Sequence, residues 1–193
     1  MINLYSKELV KNIYKKPSSK SEITSQIIYG EKIKILKESN NWLKIKTLID
    51  NYSGFIKNKK LEQNFKATHK CFLIKTKIYN KKKRVKEYLP FNSRLSIKNR
   101  KNGYGEFEKG KWVKLNNLKK INYIEKDFLN ILKKFKNTKY LWGGKSYQGI
   151  DCSALLQIFY LFKNKFFPRD TKDQIKFKKV SYKRHTFNKG HFI

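Results

Sequence analysis

The group in this chain best placed for covalent chemistry is the thiol of Cys152, which follows Gly149-Ile150-Asp151 and precedes Ser153-Ala154-Leu155-Leu156-Gln157. Beyond it, Leu155, Leu156, Ile158, Phe159, Leu161 and Phe162 recur at helical spacing, which predicts a buried helix. Asp151 is a good N-cap for that helix and sets Cys152 in its first turn. Unpaired backbone N–H groups and the helix dipole favour an anion there, which suits a thiolate nucleophile. By itself a cysteine beside an apolar run also reads as a small buried residue, so the neighbours must decide. A nucleophilic thiol further needs a base and a group to orient it. The chain holds three histidines, His69, His185 and His191.

The elements that must position this thiol fall into three stretches. From Leu4 to about residue 62 the chain alternates short strand patterns with turns. Ile23 to Ile28 is extended, Tyr29-Gly30-Glu31 is a turn, and Lys32-Ile33-Lys34-Ile35 alternates as a half-buried strand. Asn40-Asn41 turns the chain again, Trp42-Leu43-Lys44-Ile45-Lys46 alternates, and Ser53-Gly54-Phe55-Ile56 ends the unit. Residues 66–119 repeat the theme more weakly, with a strand from Cys71 to Tyr79, a charged loop at 81–84, an Asn102-Gly103 turn, and a last strand at Lys111–Leu115. From Asn122 the period changes, and Tyr123, Ile124, Phe128, Leu129, Ile131, Leu132 and Phe135 predict a helix. Thr171-Lys172-Asp173-Gln174 has the form of a capping box, so a short helix is expected there, with Gln174 as a capping residue.

The stretch Tyr140-Leu141-Trp142-Gly143-Gly144, running on to Asp151-Cys152-Ser153, resembles the active-site segment of the NlpC/P60 family of cell-wall cysteine peptidases. The likeness continues through Pro168-Arg169-Asp170-Thr171 and Gln174, and departs at Ala154, where the family usually has glycine. The two leading units resemble bacterial SH3-like barrels. The resemblance implies an α+β chain: two small all-β SH3-like barrels, 4–62 and 66–119, followed by a papain-like NlpC/P60 domain over 122–193. It implies Cys152 as the nucleophile, Tyr140 beside it for substrate or oxyanion, Asp151 and Ser153 for the free amine of an N-terminal L-Ala, and Asp170 and Thr171 in the substrate pocket. The implied reaction is hydrolysis of the amide after γ-D-Glu in peptidoglycan stem peptides, in wall turnover or recycling. Each residue also has a plainer structural use, Asp151 and Thr171 as helix caps and Tyr140 as packing.

The family's catalytic histidine follows a Gly-Asp-Leu/Val-aromatic segment. Lys189-Gly190-His191-Phe192-Ile193 resembles that segment, so the base is expected beyond Ile193 and the domain reads as truncated. His185 and His191 precede the expected strand and are poor substitutes, while His69 falls in the second unit. On this reading the apolar face of the Cys152 helix lacks its partner sheet and is left in water, where it would loosen residues 122–193. A catalytically dead homologue that binds wall peptide is the alternative function.

The formal net charge of +33 points towards anionic partners. Of 47 basic residues, however, only Arg84, Arg94, Arg100, Arg169 and Arg184 are arginine, the residue that base readers favour. Specific nucleic-acid binding is therefore not expected, and non-specific attraction to anionic wall polymers or membranes is. Cys71 and Cys152 fall in different units and suggest no disulfide framework, and no Cys/His spacing suggests a metal site or other cofactor. The first residues lack the apolar segment of a secretion signal, and no apolar run approaches a membrane span, so a cytoplasmic location is expected.

Overall fold

The computed structural model describes residues 4–57, 61–80 and 86–177. The charged loop at 81–84, His185, His191 and the Lys189–Ile193 segment lie outside them. Seven strands, β1 (Leu4–Ser6), β2 (Val10–Tyr14), β3 (Ile23–Ile28), β4 (Lys32–Ser39), β5 (Trp42–Thr47), β6 (Ser53–Lys57) and β7 (Leu61–Glu62), form one antiparallel sheet. Their order is β3-β2-β6-β5-β4-β1-β7. Alternation sends Ile33, Leu43, Ile45 and Ile56 to one face, where they bury with Ile13 and Ile27. Asn40 and Asn41 turn β4 into β5 at φ of 42° and 62°, the left-handed backbone that asparagine tolerates. The strand pairings leave β3 and β7 as the two ends of the sheet, so among the described residues they do not close a barrel.

Among the described residues the second unit likewise does not form one barrel sheet. It comprises three small sheets: 75–77 with 88–90; 94–95, 69–71 and 118–120; and 99–101, 104–108 and 111–114. Their short strands cannot bury a core alone. Cys71, Leu89, Leu95, Phe107 and Val113 instead share a cluster with Tyr29 from the first unit. The Tyr29 ring meets Phe107 edge-on at 5.5 Å, and its hydroxyl donates to Glu108 at 2.7 Å. The two β units thus pack through a common core.

Three helices follow. The first, α1 (Phe128–Lys134), begins well after Asn122 because Asp127 caps it, accepting from the Leu129 N–H at 2.9 Å. The second, α2 (Cys152–Phe162), carries the thiol, and the third is α3 (Thr171–Phe177). The apolar face of α2 is not left in water. Ile158, Phe159 and Phe162 are buried against Ile131 and Phe135 from the α1 region and Phe91 from the second unit. Phe91 stacks on Phe162 with ring centroids 4.8 Å apart. The second unit thus supplies the cover that the sequence assigned to a missing sheet.

Buried polar contacts tie the C-terminal region to both β units. The buried Lys70 ammonium donates to the carbonyls of Phe162 and Tyr123, placing positive charge at the C-terminal end of the helix. Burial, with a smaller push from Arg94, lowers the Lys70 pKa to about 8. From the first sheet, Glu31 forms a buried ion pair with Lys145 at 2.8 Å, and Gln26 accepts from the Lys145 N–H. No helix among the described residues is long and apolar enough to cross a membrane.

Candidate active site

Asp151 organises the site. It precedes α2 with extended backbone, and its Oδ1 accepts from the Ala154 N–H at 2.8 Å and from the Ser153 hydroxyl at 3.0 Å. Arg169 then grips the carboxylate from the other side, Nη1 to Oδ1 at 3.0 Å and Nη2 to Oδ2 at 2.6 Å. The same guanidinium reaches the Ser153 hydroxyl at 2.7 Å and the Ser25 hydroxyl of β3 at 3.0 Å. This two-pronged geometry suits a planar guanidinium. It ties the start of α2 to the first sheet, with Cys152 exposed between the two buried neighbours Asp151 and Ser153.

The glycine pair serves the same carboxylate. Gly143 donates its N–H to Asp151 Oδ2 at 3.0 Å, at a φ of +70°. A Cβ there would meet the Ile23 carbonyl oxygen at 2.6 Å. Gly103 has a similar φ of +76° but open space around it. Gly143→Ala is therefore expected to cost about 2 kcal/mol or more in urea unfolding, and Gly103→Ala only about 1 kcal/mol, the left-handed strain alone. Equal losses at the two positions would mean that the close approach at Gly143 does not matter.

Cys152 opens into a cleft of about 540 Å³ built from both ends of the chain. The C-terminal region contributes Tyr140, Trp142, Asp151, Ser153, Arg169, Asp170, Thr171 and Lys172. The first sheet and its loops contribute Lys15, Glu22, Thr24, Tyr52 and Ser53. Trp142 bridges the halves by donating its indole N–H to Glu22 at 3.0 Å. The Lys15 ammonium and that indole hold the Glu22 carboxyl below the usual carboxylate range. Burial raises the Tyr52 pKa, so its hydroxyl stays protonated and able to donate. Burial also raises the Asp170 pKa, against the pull of Arg169 and Lys172. The cleft combines carboxylates and lysines with aromatic walls, groups that can hold charged ends and apolar surface of a small ligand.

The structure brings all six residues singled out from the sequence, Cys152, Tyr140, Asp151, Ser153, Asp170 and Thr171, to this one cleft. Gln174 is not spent on a capping box: its amide donates to the carbonyls of Ser153 and Pro168, both at 2.9 Å, tying α3 to α2. At the start of α3 the carbonyl of Asp170 accepts from the N–H groups of Asp173 and Gln174. Glu22, Tyr52 and Lys15 gave no signal in the sequence, because nothing local tells which loop of one domain faces another. Among the described residues the cleft is lined by no histidine, and no group of three or more His, Cys, Asp or Glu side chains could hold a metal.

Residues 8–62 match the bacterial SH3 domain model and residues 137–193 match the NlpC/P60 family model. The fold is that of an NlpC/P60 family protein from Bacillus cereus ATCC 10987, with a TM-score of 0.82 and 15% identity over 97% of this chain and 81% of that one. An NlpC/P60 endopeptidase from Photobacterium damselae subsp. piscicida is similar at a TM-score of 0.67 and 16% identity, over 90% of this chain and 45% of that one. A search of curated protein sequences gives no match.

Proposed function

With a bacterial SH3 domain over residues 8–62 and an NlpC/P60 domain over residues 137–193, a family whose members are generally cell-wall peptidases, we propose that this chain is a cysteine peptidase acting on peptidoglycan stem peptides. The observation that carries the reading is the exposed thiol of Cys152 at the first turn of α2, inside a peptide-sized cleft. Cys152 Sγ attacks the carbonyl carbon of γ-D-Glu, and the amide C–N bond breaks as the amine of the next residue leaves with a proton. Water then adds to the thioester and releases the γ-carboxylate, returning the proton to sulfur. Tyr140 flanks the thiol from the cleft wall and serves the substrate carbonyl.

Residues of the first sheet and its loops line the cleft and narrow it, which favours short free peptides over cross-linked wall. An N-terminal amine entering there meets carboxylates. Asp151 already accepts from Arg169, Ser153, Ala154 and Gly143, so its charge is committed. Asp170 and Glu22 are assigned to the amine, with Ser153, Thr171 and Tyr52 shaping the pocket around it.

The test is hydrolysis of L-Ala-γ-D-Glu-diamino-acid peptide, free and N-acetylated, by the full-length protein. The free peptide is expected to be cleaved at γ-D-Glu, and acetylation to lower kcat/KM about tenfold or more, the loss for a charged hydrogen bond. Equal cleavage of both would remove the amine pocket from the reading. Binding without turnover would favour a wall-peptide binding protein. A pH dependence follows from Asp170, whose raised pKa means that its charge appears only as pH climbs past the ordinary carboxylate value. Affinity of the Cys152→Ala protein for the free peptide is expected to rise over that climb, and Asp170→Asn to flatten the rise, as read by calorimetry.

A further inference from the structure

A second groove, of about 610 Å³, lies between the second β unit and the loops that lead into the site. Lys75 lines it from the second unit, Lys134 and Lys136 from the end of α1, and Lys139 from the residue just before Tyr140. Asn137, Thr138 and Gln148 add neutral hydrogen-bonding groups. No carboxylate lines it among the described residues, whereas the cleft at Cys152 holds Glu22, Asp151 and Asp170. In a chain with this much lysine, that separation of sign distinguishes the groove from the general positive surface.

Two of its four cations, Lys75 and Lys134, sit against aromatic rings. The Lys134 ammonium sits 3.9 Å from the centre of the Phe72 ring, whose surroundings also hold Lys119 at 5.0 Å. Burial lowers the Lys134 pKa, partly offset by Glu125, and Lys119 lowers it further, so an incoming anion would relieve the crowding. Lys75 lies 5.1 Å over Tyr147 and 6.0 Å over Tyr88. That arrangement puts an ammonium, rather than open ring surface alone, beside the tyrosines. No arginine fork is present to read a base edge among the groove residues.

We propose that this groove binds a linear polyol-phosphate polymer, its phosphodiesters on Lys75, Lys134, Lys136 and Lys139 and its hydroxyls on Asn137, Thr138 and Gln148. The site stands independently of the peptidase reading. Because Lys139 and Tyr140 are consecutive, a polymer held there would moor the cleft beside it.

The experiment measures fluorescence anisotropy of labelled poly(glycerol phosphate) and of an oligo-dT of equal charge, from 50 to 200 mM salt in order of magnitude. It uses the full-length protein, the triple variant Lys75→Gln/Lys136→Gln/Lys139→Gln, and a control, Lys101→Gln/Lys109→Gln/Lys114→Gln. All six lysines are exposed, so both variants should fold, and melting temperatures check this. The groove variant is expected to lose at least tenfold in affinity for poly(glycerol phosphate). Its slope of log K against log salt should fall by about 2, near 0.7 per lysine. The control should stay within about threefold on the same ground of distributed charge. Equal losses in both variants, no binding by the unmodified protein, or tighter binding of oligo-dT through the same lysines would each overturn the proposal. If the triple variant melts early, Lys139→Glu alone gives the same comparison.

Discussion

Replacing Cys152 by alanine is expected to lower stem-peptide hydrolysis by at least about 10⁴-fold, because loss of a covalent nucleophile leaves only binding and oxyanion stabilisation. The side chain is exposed at the first turn of α2, and its neighbours Asp151 and Ser153 make the structural bonds. Stability should therefore stay within about 0.5 kcal/mol of the parent protein, as for an exposed site. Peptide affinity should also persist, since the amine contacts are assigned elsewhere in the cleft. The measurements are kcat/KM on the free peptide, calorimetric affinity and a melting curve on one preparation. A tenth of the activity remaining would remove Cys152 from the mechanism. Lost binding together with lost activity would instead mean that the substitution had disturbed the pocket.

Arg169→Ala is expected to destabilise the folded protein by about 3–5 kcal/mol, the usual result of leaving one partner of a buried ion pair behind. The guanidinium and the Asp151 carboxylate have side chains only 2% and 8% exposed, and their shortest contact is 2.6 Å. Removing the cation would also release the Ser25 and Ser153 hydroxyls, and with them the link between β3 and the start of α2. Arg169→Lys should recover only part of this, because a single ammonium cannot bond both carboxylate oxygens and two hydroxyls in the geometry of a planar fork. Urea unfolding of the three proteins measures the difference. A lysine variant as stable as the parent would show that charge alone, rather than the fork, holds the junction. Peptide affinity of the lysine variant should drop as well, since Asp151 and Asp170 flank the same arginine in sequence or space.

The local parts of this protein were legible because their causes are local. Asp151 as a cap, α2 from Cys152 to Phe162, the Asn40-Asn41 and Asn102-Gly103 turns and the alternating β4 and β5 all follow from residue type and period. The six residues that the resemblance of residues 140–174 points to line one cleft. Errors arose where a residue's partner is distant. The start of α1 moved to Asp127, because periodicity alone does not choose between competing caps. The second unit divided into three small sheets, because weak alternation does not specify which strands pair.

The apolar face of α2 looked bare from the sequence, yet Phe91 and α1 cover it, and nothing in residues 152–162 names a partner some sixty positions away. Sequence by itself determined the helix that begins at Cys152 and its Asp151 cap, since these rest on neighbours within a few bonds. Only tertiary structure decided that Arg169 takes the charge of Asp151 and that Glu22 and Tyr52 face Cys152 across the cleft. Those pairings depend on how segments distant in sequence come together, through buried contacts such as Lys145 with Glu31 that exist only once the chain has folded.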